Sequence, residues 1–457
     1  MTVTEQSVQT FQVAPGGSLR GRFRVPGDKS VSHRSIMLGA IADGETTVDG
    51  FLEGADALAT LSACRAMGVT IEGPSDGSLR ILGVGLHGLQ APATALDLGN
   101  AGTAMRLFCG LLAGQAFDSV LTGDASLSAR PMRRVIAPLA SMGAVIASEP
   151  GERAPLRIEG GQTLHGIDYV MPMASAQVKS CLLLAGLYAD GETVVTEPAP
   201  TRDHTERMLE AFGCRLQRRG QRIAIRGQQR LRATHVIVPG DLSSAAFFIV
   251  GACIASNTDV VIEGVGTNPT RTGLLDILSL MGADIELRHR REQGAEPVAD
   301  IHVRSSRLSG VTIPERLVPL AIDEFPILFI AAACATGTTV LRGAAELRVK
   351  ESDRIAVMAD GLVRLGVRAE ATADGMIIRG RDGDDDAQDA VFDGGTIDSH
   401  GDHRIAMAFA MAALRARAPI TITDTANVAT SFPGFDTLAA RAGLALTVTT
   451  QSMGSES

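Results

Sequence analysis

At 457 residues, with 45% hydrophobic and 20% charged residues, the chain has room for two globular domains, each with its own core. A net charge of −9, no tryptophan and only 4% aromatic residues argue against a nucleic-acid binder or any base-stacking surface. The six cysteines are scattered with no CxxC pair, against a zinc site or disulfide framework, and no apolar run reaches the ~20 residues of a membrane span. The opening "MTVTEQSVQTFQV" has neither the basic nor the apolar region of a signal peptide, so a cytoplasmic protein is expected.

In chain order, "TFQVAPGGSLRGRFRV" (10–25) predicts an added strand, and "VPGD" (25–28) leads into a helix that begins near "GDKSVSHRS". Then follow a strand, an amphipathic helix, a glycine turn and a further strand over 44–72. The same order returns at 119–148, 191–217, 258–287, 337–370 and 420–448. The helix-ending glycines are Gly68, Gly143, Gly213, Gly282, Gly366 and Gly443, where a left-handed cap is expected. Each copy is preceded by a more uniformly apolar helix, as a buried helix should be. These begin near "GDKSVSHRS", "GNAGTAMR", "ASAQVKS", "GDLSSAA", "IDEFPIL" and "GDHRIAM", with a capping residue at or near each start.

The pattern predicts an α/β chain of six strand–helix–strand–helix–strand–strand units in two pseudo-symmetric lobes. Residues 28–238 form the N-terminal lobe, and 1–27 with 241–457 form the C-terminal lobe. A second "VPGD" at 238–241 makes both tetrapeptides candidate hinges, near 25–28 and 238–241. A chance match of four residues is the alternative, and the repeat register argues against it. The acidic stretch 380–396 reads as a solvated surface loop.

Helix N-termini present unpaired N–H donors and partial positive charge, so the residues decorating them are informative. The first start carries Lys29, Ser30 and Arg34; the second Asn100, Gly102, Thr103 and Arg106; the third Ser175, Gln177 and Lys179. The fifth carries Asp323 and Glu324, and the sixth Asp402, His403 and Arg404. Loops within the repeats add Arg130, Arg202, Lys350, Glu351 and Arg354. Such cations suit phosphate and carboxylate ligands, and the carboxylates suit proton transfer. Taken alone, "RVKESDR" reads equally as a solvated helix start, and "GDHR" as a capped turn; recurrence at equivalent points favours one shared cleft. Lysine occurs only at Lys29, Lys179 and Lys350, the rest of the 42 basic residues being arginine. No P-loop, Rossmann fingerprint or metal-ligand spacing is present, so nucleotide and metal binding lack support.

The motifs "PGDKSVSHR", "LGNAGTAMR", "GDASLSARPM", "MASAQVKS", "RVKESDRI" and "GDHRIAM" closely resemble those of the 5-enolpyruvylshikimate-3-phosphate (EPSP) synthases, in order from about residue 15 to 450. The resemblance implies two three-unit lobes whose buried helices point their N-termini at the interdomain cleft. It implies transfer of the enolpyruvyl group of phosphoenolpyruvate to the 5-hydroxyl of shikimate 3-phosphate with release of phosphate, in chorismate and aromatic amino acid synthesis. No metal or organic cofactor would be required, and a monomer is expected. Lys29, Ser30, Arg34, Ser175, Ala176, Gln177, Arg202, Asp323 and Lys350 would hold shikimate 3-phosphate. Lys29, Gly102, Arg130, Gln177, Arg354 and Arg404 would hold phosphoenolpyruvate. Asp323 is the candidate base, with Glu351 and Lys29 sharing the acid role.

The likeness also implies a glyphosate target, with Gly102 leaving room for an inhibitor longer than phosphoenolpyruvate. Two departures, Ala176 where other members have serine and Thr430 where many have lysine, point to a divergent bacterial branch. The alternatives are a UDP-N-acetylglucosamine enolpyruvyl transferase, which uses a loop cysteine absent from "GDASLSARPM", and a non-catalytic repeat scaffold that binds anions.

Overall fold

A computed structural model describes residues 7–382 and 389–452. The chain forms two compact units: Pro26–Pro239 with Glu292–Pro297, and Met1–Val25 with Gly240–Arg291 and Val298–Ser457. Each has its own apolar core. Six small sheets are present among the described residues, five of four strands and one of three.

The second and third repeats show the unit in contiguous sequence. Leu96–Asp97 runs parallel to Ser119–Thr122, with helix Gly102–Ala113 as the crossover that a parallel pair requires. Arg153–Ile158 then pairs antiparallel with Ser119–Thr122, and Ile146–Glu149 closes the edge. In the third repeat, Asp168–Val170, helix Ala176–Gly186, Glu192–Thr196, Leu216–Arg219 and Arg222–Arg226 follow the same plan.

Other repeats borrow strands from distant sequence. His235–Ile237, at the end of the first three repeats, pairs parallel with Asp43–Asp49 and supplies the leading strand of the first sheet. Arg20–Phe23 does the same for the fourth, against Asp259–Gly266. Ser7–Val13 lies between Ile420–Thr423 and Leu446–Ser452, antiparallel to both, and completes the sixth sheet. The single N-terminal strand expected from sequence is therefore two strands in two different sheets. The break between them falls at "APGGS", where Gly16 and Gly17 take φ of +80° and +109°. Phe11 and Phe23 anchor the two strands on Phe435 and Phe248, with ring centroids 6.1 Å and 5.1 Å apart. In the fifth repeat the leading strand shrinks to an isolated bridge, Thr312 to Val340, leaving three strands.

The leading helices are buried as their uniform apolarity predicts. Leu242–Ile254 and Phe325–Cys334 are buried at every residue. Helix Gly102–Ala113 packs so closely on Ala176–Gly186 that a Cβ at Gly110 would lie 2.0 Å from the Cys181 carbonyl oxygen. Among the described residues, no helix is long and apolar enough to cross a membrane.

Three sequence expectations need correction. The tip of the hairpin formed by Asp284–Gln293 and Glu296–Arg304 belongs to the N-terminal unit, where Glu296 is buried and its Oε1 lies 2.6 Å from His204 Nδ1. The second and fifth leading helices have no side-chain cap, because Ala101 and Glu324 occupy the cap positions. Within 380–396, residues 383–388 lie outside the described residues, but Phe392 is fully buried and bridges to Ala416, so that end is no solvated loop.

All six helix-ending glycines have φ between +84° and +116°. At Gly443 a Cβ would also stand 2.3 Å from the Ser18 carbonyl oxygen, whereas at Gly282 the nearest atom is 3.6 Å away. Both lie in the same unit, so one unfolding transition compares them. Gly282→Ala should lose only the left-handed penalty, about 1–2 kcal/mol, and Gly443→Ala distinctly more. Urea midpoints shifted equally by the two substitutions would contradict this.

Candidate active site

In the N-terminal unit the cationic residues gather at three helix starts. Helix Lys29–Ala40 is capped by Asp28 Oδ1, which accepts from Val31 N at 2.9 Å. Lys29 is ion-paired to Asp56, a buried carboxylate in the first turn of helix Ala55–Ala66. Arg34 is turned inward and only 4% exposed. Its Nη1 donates to the Ser30 carbonyl at 2.8 Å, its Nε to Thr205 Oγ1 at 2.6 Å and its Nη2 to Ser180 Oγ at 2.9 Å. Burial pulls the Arg34 guanidinium down to about 10, with Glu206 the foremost charge opposing the shift, so it stays cationic at neutral pH.

The second and third helices meet at Gln177. Its Oε1 accepts from Arg106 Nη1 at 2.9 Å and its Nε2 donates to Thr103 Oγ1 at 2.9 Å, which fixes the amide's orientation. Arg130 Nη2 donates to Asn100 Oδ1 at 2.7 Å and to Ser126 Oγ at 3.2 Å. A Cβ at Gly102 would stand 3.0 Å from Arg130 Nη1 and 3.1 Å from Arg106 Nη1, so two guanidinium groups flank that bare backbone. Ser175 caps its own helix through Val178 N at 3.4 Å, and Ala176 is the first helical residue. Arg202 is half-buried in the loop ahead of helix His204–Ala211, close enough for its charge to act on Arg34. Gly102, Arg106, Arg130 and Gln177 thus form one cluster, with Ser30 and Arg34 in a second.

In the C-terminal unit the predicted residues converge on Arg354, which is 1% exposed at the start of helix Arg354–Arg364. Its Nε donates to Asp402 Oδ2 at 2.8 Å and its Nη2 to Glu351 Oε2 at 2.5 Å. Its Nη1 has no hydrogen-bond partner and lies 3.5 Å from Asp323 Oδ1. Burial would lower this guanidinium, but Asp402, Glu351 and Asp323 outweigh it and raise it above the ordinary arginine value. Lys350 Nζ also approaches Asp323 Oδ1, at 3.3 Å. Arg404 Nη1 donates to the Asp323 carbonyl at 2.9 Å and lies 3.5 Å from Glu324 Oε1. Asp402 is fully buried and also caps helix His403–Ala412 through Arg404 N at 3.0 Å. Asp323, Lys350, Glu351, Arg354 and Arg404 are therefore one connected cluster.

Thr430 sits in a short 3-10 turn, its hydroxyl donating to the Asn427 carbonyl at 2.7 Å, so it serves that turn and does not mimic a lysine ammonium. The six cysteines are free and buried, and burial pushes the Cys64, Cys109, Cys253 and Cys334 thiols up to about 12. No cysteine nucleophile is available at neutral pH. Among the described residues, no group of three or more His, Cys, Asp or Glu could hold a metal ion.

Sequence reading missed the supporting carboxylates. Asp56, which holds Lys29, and Glu197 and Glu206, which hold the buried Lys179, lie outside the motifs. The apolar setting of Lys179 in "QVKSCLLLAG" was a signal that a partner had to exist.

Residues 13–438 match the family model described as EPSP synthase (3-phosphoshikimate 1-carboxyvinyltransferase). A protein of Alkalilimnicola ehrlichii named 3-phosphoshikimate 1-carboxyvinyltransferase is 67% identical over 437 residues, covering 96% of each chain. One of the same name from Methylococcus capsulatus is 63% identical, covering 96% of this chain and 98% of its own. A solved structure of EPSP synthase from Acinetobacter baumannii is 60% identical with a TM-score of 0.87, covering 96% of this chain and all of that one. With both clusters assembled from the motif residues and nearly the whole length matched, the chain belongs to the EPSP synthase family.

Proposed function

We infer that this protein transfers the enolpyruvyl group of phosphoenolpyruvate to the 5-hydroxyl of shikimate 3-phosphate, releasing phosphate, as a transferase of the shikimate pathway. The observation that carries this reading is the division of chemistry between the units of a chain 67% identical to a named 3-phosphoshikimate 1-carboxyvinyltransferase. Lys29, Arg106, Arg130 and Arg202 make the N-terminal unit's helix starts cation-rich, as two polyanionic substrates demand. In the other, Lys350, Arg354 and Arg404 are matched by Asp323, Glu351 and Asp402, as proton transfer demands.

The reaction is an addition followed by an elimination. The 5-hydroxyl oxygen attacks C2 of phosphoenolpyruvate while its proton goes to a base and a proton arrives at the C3 methylene. The resulting tetrahedral species expels phosphate and returns a C3 proton, which restores the double bond. Asp323 is the proposed base, with Lys350 and Arg354 beside its Oδ1. Glu351 and Lys29 are the proposed acids. Lys29, Ser30, Arg34, Ser175, Ala176, Gln177, Arg202, Asp323 and Lys350 are proposed to hold shikimate 3-phosphate. Lys29, Gly102, Gln177, Arg130, Arg354 and Arg404 are proposed for phosphoenolpyruvate. Fixed cations and helix ends aimed at developing charge supply the acceleration. A cytoplasmic monomer acting on small anions, not on nucleic acid, fits this chemistry.

The direct test is release of phosphate from phosphoenolpyruvate only when shikimate 3-phosphate is present. Release driven by UDP-N-acetylglucosamine, or no release at all, would overturn the reading. Lys29→Arg should keep its ion pair with Asp56 yet lose kcat by on the order of a hundredfold, because a planar fork replaces a compact ammonium. Near-normal turnover of the folded variant would remove Lys29 from the chemistry. Gly102→Ala should push the Arg130 and Arg106 guanidinium groups aside by a few tenths of an ångström. Glyphosate inhibition should then weaken roughly tenfold or more while the KM for phosphoenolpyruvate changes by less than about threefold. Equal changes in both constants would contradict the steric account of Gly102.

A further inference from the structure

Lys179 is 1% exposed, in a chain that uses arginine almost everywhere else. Its Nζ lies 2.8 Å from Glu197 Oε1, 2.7 Å from Glu206 Oε1 and 3.4 Å from the Thr201 carbonyl oxygen. An ammonium has three N–H donors pointing in three directions, and here three acceptors, two from the 197–203 loop and one from helix His204–Ala211, receive them; a planar guanidinium cannot serve that geometry. The Thr201 hydroxyl in turn donates to Glu197 Oε1. Both the backbone and the side chain of Thr201 are therefore held from beneath, and the next residue is Arg202.

The cluster extends sideways. Thr205 accepts from Arg34 and donates to Ser180 Oγ at 2.7 Å, so helices Lys29–Ala40, Ala176–Gly186 and His204–Ala211 are tied at one buried point. Desolvation raises Glu197, with Lys179 opposing, and Glu206 Oε2 is buried with no hydrogen-bond partner. A buried ionic cluster of this kind adds little stability over apolar packing. Its geometry does something else: the Thr201–Arg202 turn and helices Lys29–Ala40 and Ala176–Gly186, which it ties together, each carry a residue assigned above to shikimate 3-phosphate.

We propose that Lys179, with Glu197 and Glu206, is a positioning residue that holds the Thr201–Arg202 turn so that Arg202 is preset for the phosphate of shikimate 3-phosphate. This rests on the functional reading above and adds a residue that touches no substrate. Fixing the backbone beside a long side chain removes part of the ordering cost that the ligand would otherwise meet.

The experiment is a double-mutant cycle of Thr201→Val and Arg202→Ala in the full chain. Affinity for shikimate 3-phosphate is read by titration calorimetry, and kcat and the KM for phosphoenolpyruvate by phosphate release. Thr201→Val should weaken shikimate 3-phosphate binding by about tenfold, leaving the KM for phosphoenolpyruvate and kcat within about twofold. In the Arg202→Ala background it should cause no further loss. Lys179→Met should weaken binding at least as much, and Lys179→Arg should not restore it. If the Lys179 variants do not fold, the Thr201 and Arg202 cycle decides alone. Unchanged affinity in Thr201→Val, or an equal loss with and without Arg202, overturns the proposal. A wild-type protein that releases no phosphate from the two substrates would remove the functional reading itself, whatever the variants do.

Discussion

A helix that is apolar on every side must be enclosed along its whole length, and its polarity is then confined to its ends. Leu242–Ile254 and Phe325–Cys334 are the extreme cases, with every residue buried. The other four leading helices come close, their unburied residues lying almost entirely in the first turn. Enclosure demands a layer around each bundle, and the six small sheets and their outer helices supply it. It also leaves the amino ends as the places where donors meet water or ligand. The concentration of Lys29, Gly102, Gln177, Asp323 and Arg404 at those ends follows from how the cores are built.

The two clusters resolve their charge differently. In the N-terminal unit, Arg106 and Arg130 both crowd the backbone at Gly102, while Asp56 pairs with Lys29 and Asp124 accepts from Asn100. A polyanion bound among these cations stabilises the folded form by mass action. In the C-terminal unit, Arg354 is paired with Asp402 and Glu351.

Much of this is legible in the sequence because it is local. The helix-ending glycines reveal six repeats through a conformation that only glycine adopts freely, and the leading helices reveal themselves by unbroken apolarity. The motif residues are legible for the same reason, each lying within a few positions of a helix start. What escaped was non-local. Nothing near Ser7–Val13 or His235–Ile237 says which sheet each completes, since strand pairing depends on partners far along the chain. The partners of Lys29 and Lys179 escaped likewise: Asp56, Glu197 and Glu206 look like ordinary surface carboxylates until the fold brings them inside. Thr205 and Ser180, to which Arg34 donates, lie far along the chain and are not named by its motif.

The borrowed strands set an order of events during synthesis. Residues 26–239 contain their own sheets, including the returning strand at 235–237, so the bulk of that unit can close once residue 239 has left the ribosome. The other unit cannot. Its first strand is made long before its partners; Gln12 and Thr447, which meet through a hydrogen bond, are 435 positions apart. Until Ile420–Thr423 and then Leu446–Ser452 emerge, Ser7–Val13 has no sheet to join, and its backbone donors and acceptors stay unpaired. The nascent chain thus grows with a finished body flanked by an open edge, and arrested or truncated translation products should be the aggregation-prone species of this protein.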